Sequence, residues 1–522
     1  MKHAIFKKLS IQYFLAFFAL LAINSIFRMF FIFYGYIATE EGSSIYSQQL
    51  AWQGLLPFVD YAGWNSLLND YLIGWFQFFL PPTILMQRFV GFGISMITFF
   101  LTLEIASYFK NKVVILLTGI FLTFGSYTYL YLSTIPYSEQ TMTLFLLLSL
   151  YFLSQNLKRE KPRIFLSVMG SISIAFSLLI RIQIFPASLL IFGIFLYLHR
   201  HAVKNCFMIL GLTALAIAGV CLPFLIKGPE QFFYSFTWPL YADKILLYQQ
   251  NAGINLTSII RFLQETFTDY GIFILLLIPG TLYLFQLWKE KQYTKQTVFV
   301  TLFLFISFSF IATGLLHKPP YATYIYPSVP LLSIAAAFVL WHITQKIPQS
   351  IRVFIYMLVG TSILGNFILF PHFRFIKTSL ATINKTPHTY LLEIAQFVEA
   401  NSNPSDTIVS FYTPLSITAH RTILPRLSRD RFSLSLLPES EAQKHHLMSE
   451  ALFTSYISER KPKMIIFTNK TKQYFGRTEI DRQKILELLE QNYTLVKEFS
   501  EIRFIEDPKT SILSIYLRKN NQ

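Results

Sequence analysis

Long apolar blocks separated by short basic patches constrain this chain more strongly than any other feature of its sequence. The blocks run for about 15 to 22 residues, close to the roughly 20 residues that an α-helix needs to cross a bilayer core. Only 14% of the residues are charged and 53% are apolar, whereas a soluble domain carries about 25% charged residues. The sequence therefore predicts a multi-pass α-helical membrane protein, and it argues against a cytosolic enzyme, a disordered protein or a disulfide scaffold.

The apolar blocks predict about eleven transmembrane helices. They cover residues 11–33, 86–107, 113–132, 139–156, 164–180, 184–199, 206–226, 271–288, 296–316, 322–344 and 352–371. An odd number of helices places the two termini on opposite sides of the membrane. With a cytoplasmic N-terminus, 16 of the 23 Lys and Arg residues before residue 373 lie on the cytoplasmic side. The positive-inside rule favours this orientation, so the net charge of +16 reflects topology and anionic membrane lipids, and no nucleic-acid partner is expected.

Two outward loops are predicted to be long. Residues 34–85 contain acidic residues but no Lys or Arg, and their semi-apolar stretches 45–58 and 67–80 favour helices that lie in the membrane interface. Residues 227–270 are rich in aromatic side chains, which favour either an interface belt or a platform on which a sugar stacks.

Residues 373–522 are predicted to form a small extracytoplasmic α/β domain, separate from the transmembrane domain of residues 1–372. Charged residues become dense after residue 372, with 21 basic and 16 acidic residues in the last 150. The pattern predicts helices at 388–401, 440–458 and 479–491, and strands at 407–412, 464–468, 494–505 and 511–518.

Two adjacent carboxylates, Glu40 and Glu41, come directly after the first predicted transmembrane helix. At the membrane surface, a carboxylate can meet a lipid-borne substrate and a water-borne acceptor at once, as a general base must. Other outward acidic residues include Asp60 and Glu139, which are candidates for substrate binding. For Asp60 the alternative is a structural role in capping the loop. Acidic residues also stand out in outward loops simply because topology keeps Lys and Arg inside.

The segment from Thr39 to Tyr61 resembles the first outward loop of the membrane-integral GT-C class of glycosyltransferases, which use polyprenyl-phosphate sugars and include protein mannosyltransferases and aminoarabinose transferases. It reads Thr-Glu-Glu-Gly-Ser-Ser-Ile-Tyr and continues to Pro57-Phe-Val-Asp-Tyr. The class shows an acidic pair after its first helix, then a Tyr, a Gly and a Pro-aromatic-x-Asp motif. The resemblance implies that Glu40 is the catalytic carboxylate and Glu41 its neighbour, with Glu in place of the usual Asp at position 40.

Two further stretches support this resemblance. Ile135-Pro-Tyr-Ser-Glu139 opens the fourth predicted helix, where the class often has a second outward acidic residue. The stretch from His317 to Pro330, which contains Lys318, Tyr321 and Tyr324, resembles the aromatic and proline-bearing start of a late helix of that class.

Several cations are candidates for binding the phosphate of a lipid donor. Arg181 interrupts an apolar region near the predicted outer surface, where an isolated cation is costly unless it is paired or solvated. Arg181 and Arg88 either extend from helix ends towards water or bind the donor phosphate. His317 and Lys318 stand beside an outer helix end, and a departing phosphate needs fixed positive charge.

The resemblance implies an integral-membrane glycosyltransferase that transfers a sugar from a polyprenyl-phosphate donor to a glycan, lipid or protein acceptor by a single inverting displacement. This chemistry requires no cofactor. Carboxylates on one loop could bind Mg²⁺ or Mn²⁺, although the sequence contains no dedicated set of metal ligands. The alternatives are a transporter or flippase of lipid-linked saccharide and a membrane-anchored assembly protein. The acidic first loop and the outward C-terminal domain favour the transferase.

Overall fold

The structure is a computed structural model that describes residues 11–63, 67–237, 245–246, 256–291, 294–317, 320–345, 347–369, 386–427, 429–469, 471–499 and 512–519. Within these residues, every predicted transmembrane segment contains a helix. Six helices are long and apolar enough to cross a membrane, and they are Leu15–Tyr34, Ile84–Phe109, Val203–Lys227, Leu256–Lys289, Lys295–Leu316 and Ala322–Gln345. The protein is therefore an integral membrane protein with a helical bundle, while the number of eleven crossings stays a prediction.

The helices that match the predicted spans are numbered here in chain order together with the short helices between them. They are α1 (Ile11–Tyr34), α2 (Thr39–Trp52), α3 (Asn69–Gly74), α4 (Ile84–Ala106), α5 (Lys112–Phe124), α6 (Tyr127–Leu132), α7 (Ser138–Leu157), α8 (Ile164–Ile180), α9 (Phe185–Leu198), α10 (Val203–Lys227), α11 (Pro229–Thr237), α12 (Leu256–Lys289), α13 (Lys295–Leu316), α14 (Val329–Gln345) and α15 (Gln349–Leu369). A 3₁₀ helix at Ala322–Ser328 precedes α14.

The predicted span 113–132 is broken into α5 and α6 at Gly125 and Ser126. The cause is Asp269 of α12, whose carboxylate accepts hydrogen bonds from the Ser126 hydroxyl at 2.7 Å and from the Tyr127 amide at 2.9 Å. A carboxylate at these amides satisfies the donors that a helix start leaves open. Residues 256–270, which the sequence places in an outward loop, instead form the first part of the long helix α12.

The loop after α1, which is predicted to face outward, is more helical than its sequence suggests. Helix α2 begins at Thr39, before the predicted stretch 45–58, so Glu40 and Glu41 occupy its first turn. The second stretch forms α3 and a 3₁₀ helix at Trp75–Phe78. Carboxylates suit the positions of Glu40 and Glu41 because the first turn of a helix carries partial positive charge.

The C-terminal region is an α/β unit, as predicted. Its helices are α16 (Pro387–Ala400), α17 (Thr413–Thr418), α18 (Glu439–Lys444), α19 (Glu450–Ser458) and α20 (Glu479–Asn492), and its strands are β1 (Ile408–Ser410), β2 (Leu434–Ser435), β3 (Met448–Ser449), β4 (Met464–Thr468), β5 (Tyr493–Phe499) and β6 (Leu513–Arg518). Four strands form one sheet in the order β1-β4-β6-β5, in which β1 and β4 are parallel.

One detail of the C-terminal prediction is wrong. The helix expected at 440–458 is two helices, α18 and α19, because residues 448–449 pair with β2 as a short parallel strand. Strand β5 ends at Phe499, and residues 500–505 of the predicted strand lie outside the described residues. Strand β5 pairs with β6.

The C-terminal region packs directly against the loop that follows α1. One apolar core contains Ile37 and Ile45 of the loop together with Ile394, Leu415 and Ile466 of the C-terminal region. The close approach depends on Gly42 of α2, because a Cβ atom there would lie 2.3 Å from the backbone nitrogen of Pro414. The loop and the C-terminal region therefore lie at the same end of the helical bundle.

Candidate functional site

The first turn of α2 directs its two carboxylates to different surroundings. Successive helix residues point about 100° apart. Glu40 is half-buried, whereas only 1% of Glu41 is exposed. The two side chains therefore have different chemical environments although they are neighbours in sequence.

Glu41 forms a buried ion pair with Arg88 of α4. Arg88 Nε lies 2.7 Å from Glu41 Oε1, and Arg88 Nη2 lies 2.8 Å from Oε2, so the pair is bidentate. Bidentate charge-assisted bonds of this kind fix orientation as well as energy. Glu41 is thereby held in place by its arginine partner.

The remaining donors of Arg88 bind the end of the first transmembrane helix. Nη1 donates to the carbonyls of Phe31, Ile32 and Gly35, and Nη2 donates to that of Tyr36 at 2.7 Å. An arginine has five N–H donors. All five are occupied by protein acceptors here, so this conformation offers no donor for a phosphate, and the geometry favours a positioning role for Arg88 over the predicted role in phosphate binding.

A second cluster joins four of the residues that the sequence singled out. Arg181, which ends α8, forms an ion pair with Glu139 of α7 and donates to the Ser138 hydroxyl at 3.0 Å. The guanidinium carbon also lies 5.2 Å from the centre of the Tyr324 ring. The Tyr324 hydroxyl lies 3.0 Å from His317 Nε2, so α7, α8 and the 317–328 segment meet at one point.

Arg181 differs from Arg88 in having a donor to spare. Its side chain is only 4% exposed, and its Nε makes no hydrogen bond to any of the described residues. A buried, unpartnered guanidinium nitrogen is costly. Arg181 is therefore the better placed of the two arginines to receive an anion.

Tyr137 connects the two clusters. This residue precedes α7, and the charges of Glu40, Glu41 and Glu139 all act on its phenol. Glu40 and Glu139 of the Arg181 cluster therefore both act on Tyr137, at the end of the bundle that carries α2. Sequence analysis placed Tyr137 only within a motif and did not assign it this position.

The remaining candidate residues are Asp60, Tyr321 and Lys318. Asp60 is exposed, and its carboxylate accepts a hydrogen bond from the Leu56 amide at 2.7 Å, the geometry of a loop cap. The ring of Tyr321 lies 5.9 Å from that of His317, at the edge of the Arg181 cluster. Lys318 lies outside the described residues.

Sequence analysis missed a polar contact that the C-terminal region makes with α2. Asp430 is fully buried, and its carboxylate accepts a hydrogen bond from Ser43 at 2.6 Å. Asp430 lies in a short polar stretch without periodicity, so no sequence pattern marks it. Only the packing of the C-terminal region on α2 brings it near Glu40.

Within the described parts of the chain, no three His, Cys, Asp or Glu side chains converge as metal ligands would. These described residues therefore do not form a recognisable cage for Mg²⁺ or Mn²⁺.

No protein-family model matches the sequence, and no curated protein matches it. Solved structures do match its fold. A crystal structure of ArnT from Cupriavidus metallidurans bound to undecaprenyl phosphate is similar with a TM-score of 0.59 and 10% identity, covering 96% of this chain and 97% of that chain. The apo state of the same protein gives a TM-score of 0.60 and 11% identity at the same coverage.

A second match is an oligosaccharyltransferase from Archaeoglobus fulgidus. Its complex with an inhibitory peptide and a dolichol-phosphate has a TM-score of 0.52 and 10% identity, covering 97% of this chain and 74% of that chain. Another crystal structure of that enzyme contains Zn and sulfate. At such low identity these matches establish the fold alone. The chain thus shares the overall fold of ArnT and of this oligosaccharyltransferase, and in this chain that fold is a helical bundle followed by a C-terminal α/β region.

Proposed function

We propose that this protein is a glycosyltransferase that moves a sugar from a polyprenyl-phosphate donor to a glycan, lipid or protein acceptor at the outer face of the membrane. The observation that carries the proposal is the half-buried carboxylate of Glu40, which acts on the same tyrosine, Tyr137, as Glu139 of the Arg181 cluster. The shared fold supports the donor class, because the similar structures hold undecaprenyl phosphate or a dolichol-phosphate.

In the proposed reaction Glu40 accepts the proton of the acceptor hydroxyl. The freed oxygen attacks the anomeric carbon as the bond between that carbon and the phosphate oxygen breaks, so the configuration inverts in one step. The electron pair of the broken bond stays on the polyprenyl phosphate. Arg181 and His317 stabilise the charge that develops there, and Lys318 is proposed to assist them. Because a phosphate is a good leaving group, no protein acid is needed.

The decisive experiment is a transfer assay with purified protein in lipid. We expect release of polyprenyl phosphate from at least one member of a panel of polyprenyl-phosphate sugars when an acceptor is present. A flippase would move intact donor across the bilayer without releasing polyprenyl phosphate. An assembly protein would do neither, and either result would overturn the proposal.

The proposed orientation places the N-terminus in the cytoplasm and the C-terminal domain outside. A reporter active only in the cytoplasm, fused after Gln522, is therefore expected to stay silent, whereas the same reporter fused near Lys161 should be active. Activity of the C-terminal fusion would reverse the proposed side for every candidate residue.

Arg181→Lys is expected to weaken donor use even though it keeps the positive charge. Lysine offers no planar fork of donors, so it cannot hold Glu139, Ser138 and a phosphate together. We expect kcat/KM for the donor to fall by roughly one to two orders of magnitude, with little change in thermal stability. Steady-state kinetics at varied donor concentration measures this effect.

Arg200→Lys is the matched control for this prediction. Arg200 is exposed and also lies over a tyrosine ring, at 4.1 Å from the centre of Tyr197, but it stands in a predicted cytoplasmic connection. Its substitution should leave the kinetics unchanged. Equal donor use by Arg181→Lys and the wild type would show that Arg181 only pairs with Glu139 and takes no part in binding the donor.

A further inference from the structure

One buried carboxyl links the C-terminal domain to the helix that carries Glu40. Asp430 Oδ2 accepts from the Ser43 hydroxyl at 2.6 Å, and Oδ1 accepts from the Thr413 amide at 2.9 Å and from the Thr413 hydroxyl. All three side chains are fully buried. A buried carboxyl is costly unless its oxygens are satisfied, and here both of them are.

The local backbone directs Asp430 at α2. Asp430 has a φ of +53°, a left-handed conformation in which Asp is found more often than most residues. Beside it, Pro414 of α17 lies against Gly42 of α2, where no side chain larger than hydrogen fits. Two independent features of the chain thus serve the same close contact.

The contact between Asp430 and Ser43 lies one helical turn from the proposed base, Glu40. Ser43 follows Glu40 by three residues, so both lie on the same face of α2. The charge of Glu40 also acts on the Asp430 carboxyl. Among the described residues, Glu40 acts on Asp430 through its charge, and Ser43 and Thr413 act on it as hydrogen-bond donors.

We propose that Asp430 is a positioning residue of the transferase: it holds the Glu40-bearing turn of α2 against the C-terminal domain and places a second carboxyl beside the base. This inference rests on the proposed role of Glu40. It makes the C-terminal domain part of the catalytic centre, since transfer requires that the domain be docked on α2.

Protonation of Asp430 gives the contact a pH dependence. Burial raises the pKa of Asp430 to about 8; Glu40 adds to this rise, and the hydrogen bonds from Ser43 and Thr413 oppose it. The unfolded value is 3.8, so the folded state retains a proton over this range, and stability falls as pH rises from about 4 to about 8. Above that pH Asp430 is ionised, the charge of Glu40 opposes its negative charge, and docking weakens.

Two substitutions separate the hydrogen-bonding role from the charge. Asp430→Asn resembles the protonated carboxyl, because its amide can accept from Thr413 and donate to the Ser43 hydroxyl. It is expected to keep kcat at pH 7 within about two-fold and to lose less activity than the wild type above pH 8. Asp430→Ala removes the contact and should lower kcat by about ten-fold or more, with unchanged binding of undecaprenyl phosphate.

Asp406→Ala is the matched control, because Asp406 lies in the same domain and its carboxylate only caps the Asn403 amide at 2.7 Å. The full-length protein in lipid is used throughout, with thermal unfolding measured for each variant. Wild-type kcat in Asp430→Ala, or identical pH profiles for Asp430→Asn and the wild type, would overturn the inference. If the wild type released no polyprenyl phosphate, the proposed function itself would fail instead, whereas a fully active Glu40→Gln protein would exclude only Glu40 as the base.

Discussion

Glu40→Gln is expected to lower kcat by roughly two to four orders of magnitude. Glutamine keeps the size and the hydrogen-bonding capacity of the side chain but cannot take a proton from an acceptor hydroxyl. Because Glu40 is half-buried and stands at the start of α2, its replacement should disturb packing little. Single-turnover assays with a polyprenyl-phosphate sugar measure the chemical step directly.

Two controls accompany the Glu40 variant. Binding of undecaprenyl phosphate and the thermal unfolding temperature should both match the wild type, which would show that only the chemical step is affected. Glu265→Gln is a matched substitution at an acidic residue of α12 whose ion pair with Arg261 is exposed, and it should have no effect on turnover. A Glu40→Gln protein that transfers sugar at a near wild-type rate would exclude Glu40 as the base.

Glu41→Gln is expected to act on folding far more than on chemistry. It leaves the guanidinium of Arg88 buried without its anionic partner, and breaking a buried pair on one side typically costs about 3–5 kcal/mol. The free energy of unfolding should fall by an amount of this order, and α2 should lose its fixed position. Denaturant or thermal unfolding in detergent provides the measurement.

The double variant Glu41→Gln with Arg88→Met tests whether the loss comes from the unpaired charge. It removes both charges, so we expect it to be more stable than Glu41→Gln alone, although the carbonyls of Phe31 and Tyr36 lose a donor. Stability unchanged in Glu41→Gln, combined with loss of transfer, would exchange the proposed roles of Glu40 and Glu41.

The helical bundle follows from the sequence because the bilayer imposes a simple requirement. Every backbone polar group in the hydrocarbon core must be satisfied within the segment, so an apolar block of sufficient length becomes a helix. The boundaries of α1, α4, α8 and α13 accordingly lie within a few residues of their predictions. The prediction was wrong at residues 125–126, where the distant side chain of Asp269 starts a new helix.

The candidate residues were recognised in the sequence, but their partners were not. The acidic pair after the first helix and the cation Arg181 stood out by residue type and position alone. The sequence did not indicate that Glu41 pairs with Arg88 or that Arg181 pairs with Glu139, because each contact joins different helices. Such contacts depend on how helices pack, and hydropathy carries no information about that.

The sequence by itself determined that the chain crosses a membrane, that an α/β unit follows its helical bundle, and that Glu40 and Glu41 come directly after the first helix. Local properties decide these features: apolar length, charge density and adjacency in the chain. The tertiary structure alone decided that Glu41 is buried in an ion pair with Arg88 while Glu40 is half-buried. It also brought Asp430 to Ser43 across 387 positions of sequence, since a contact between distant segments follows from packing in three dimensions.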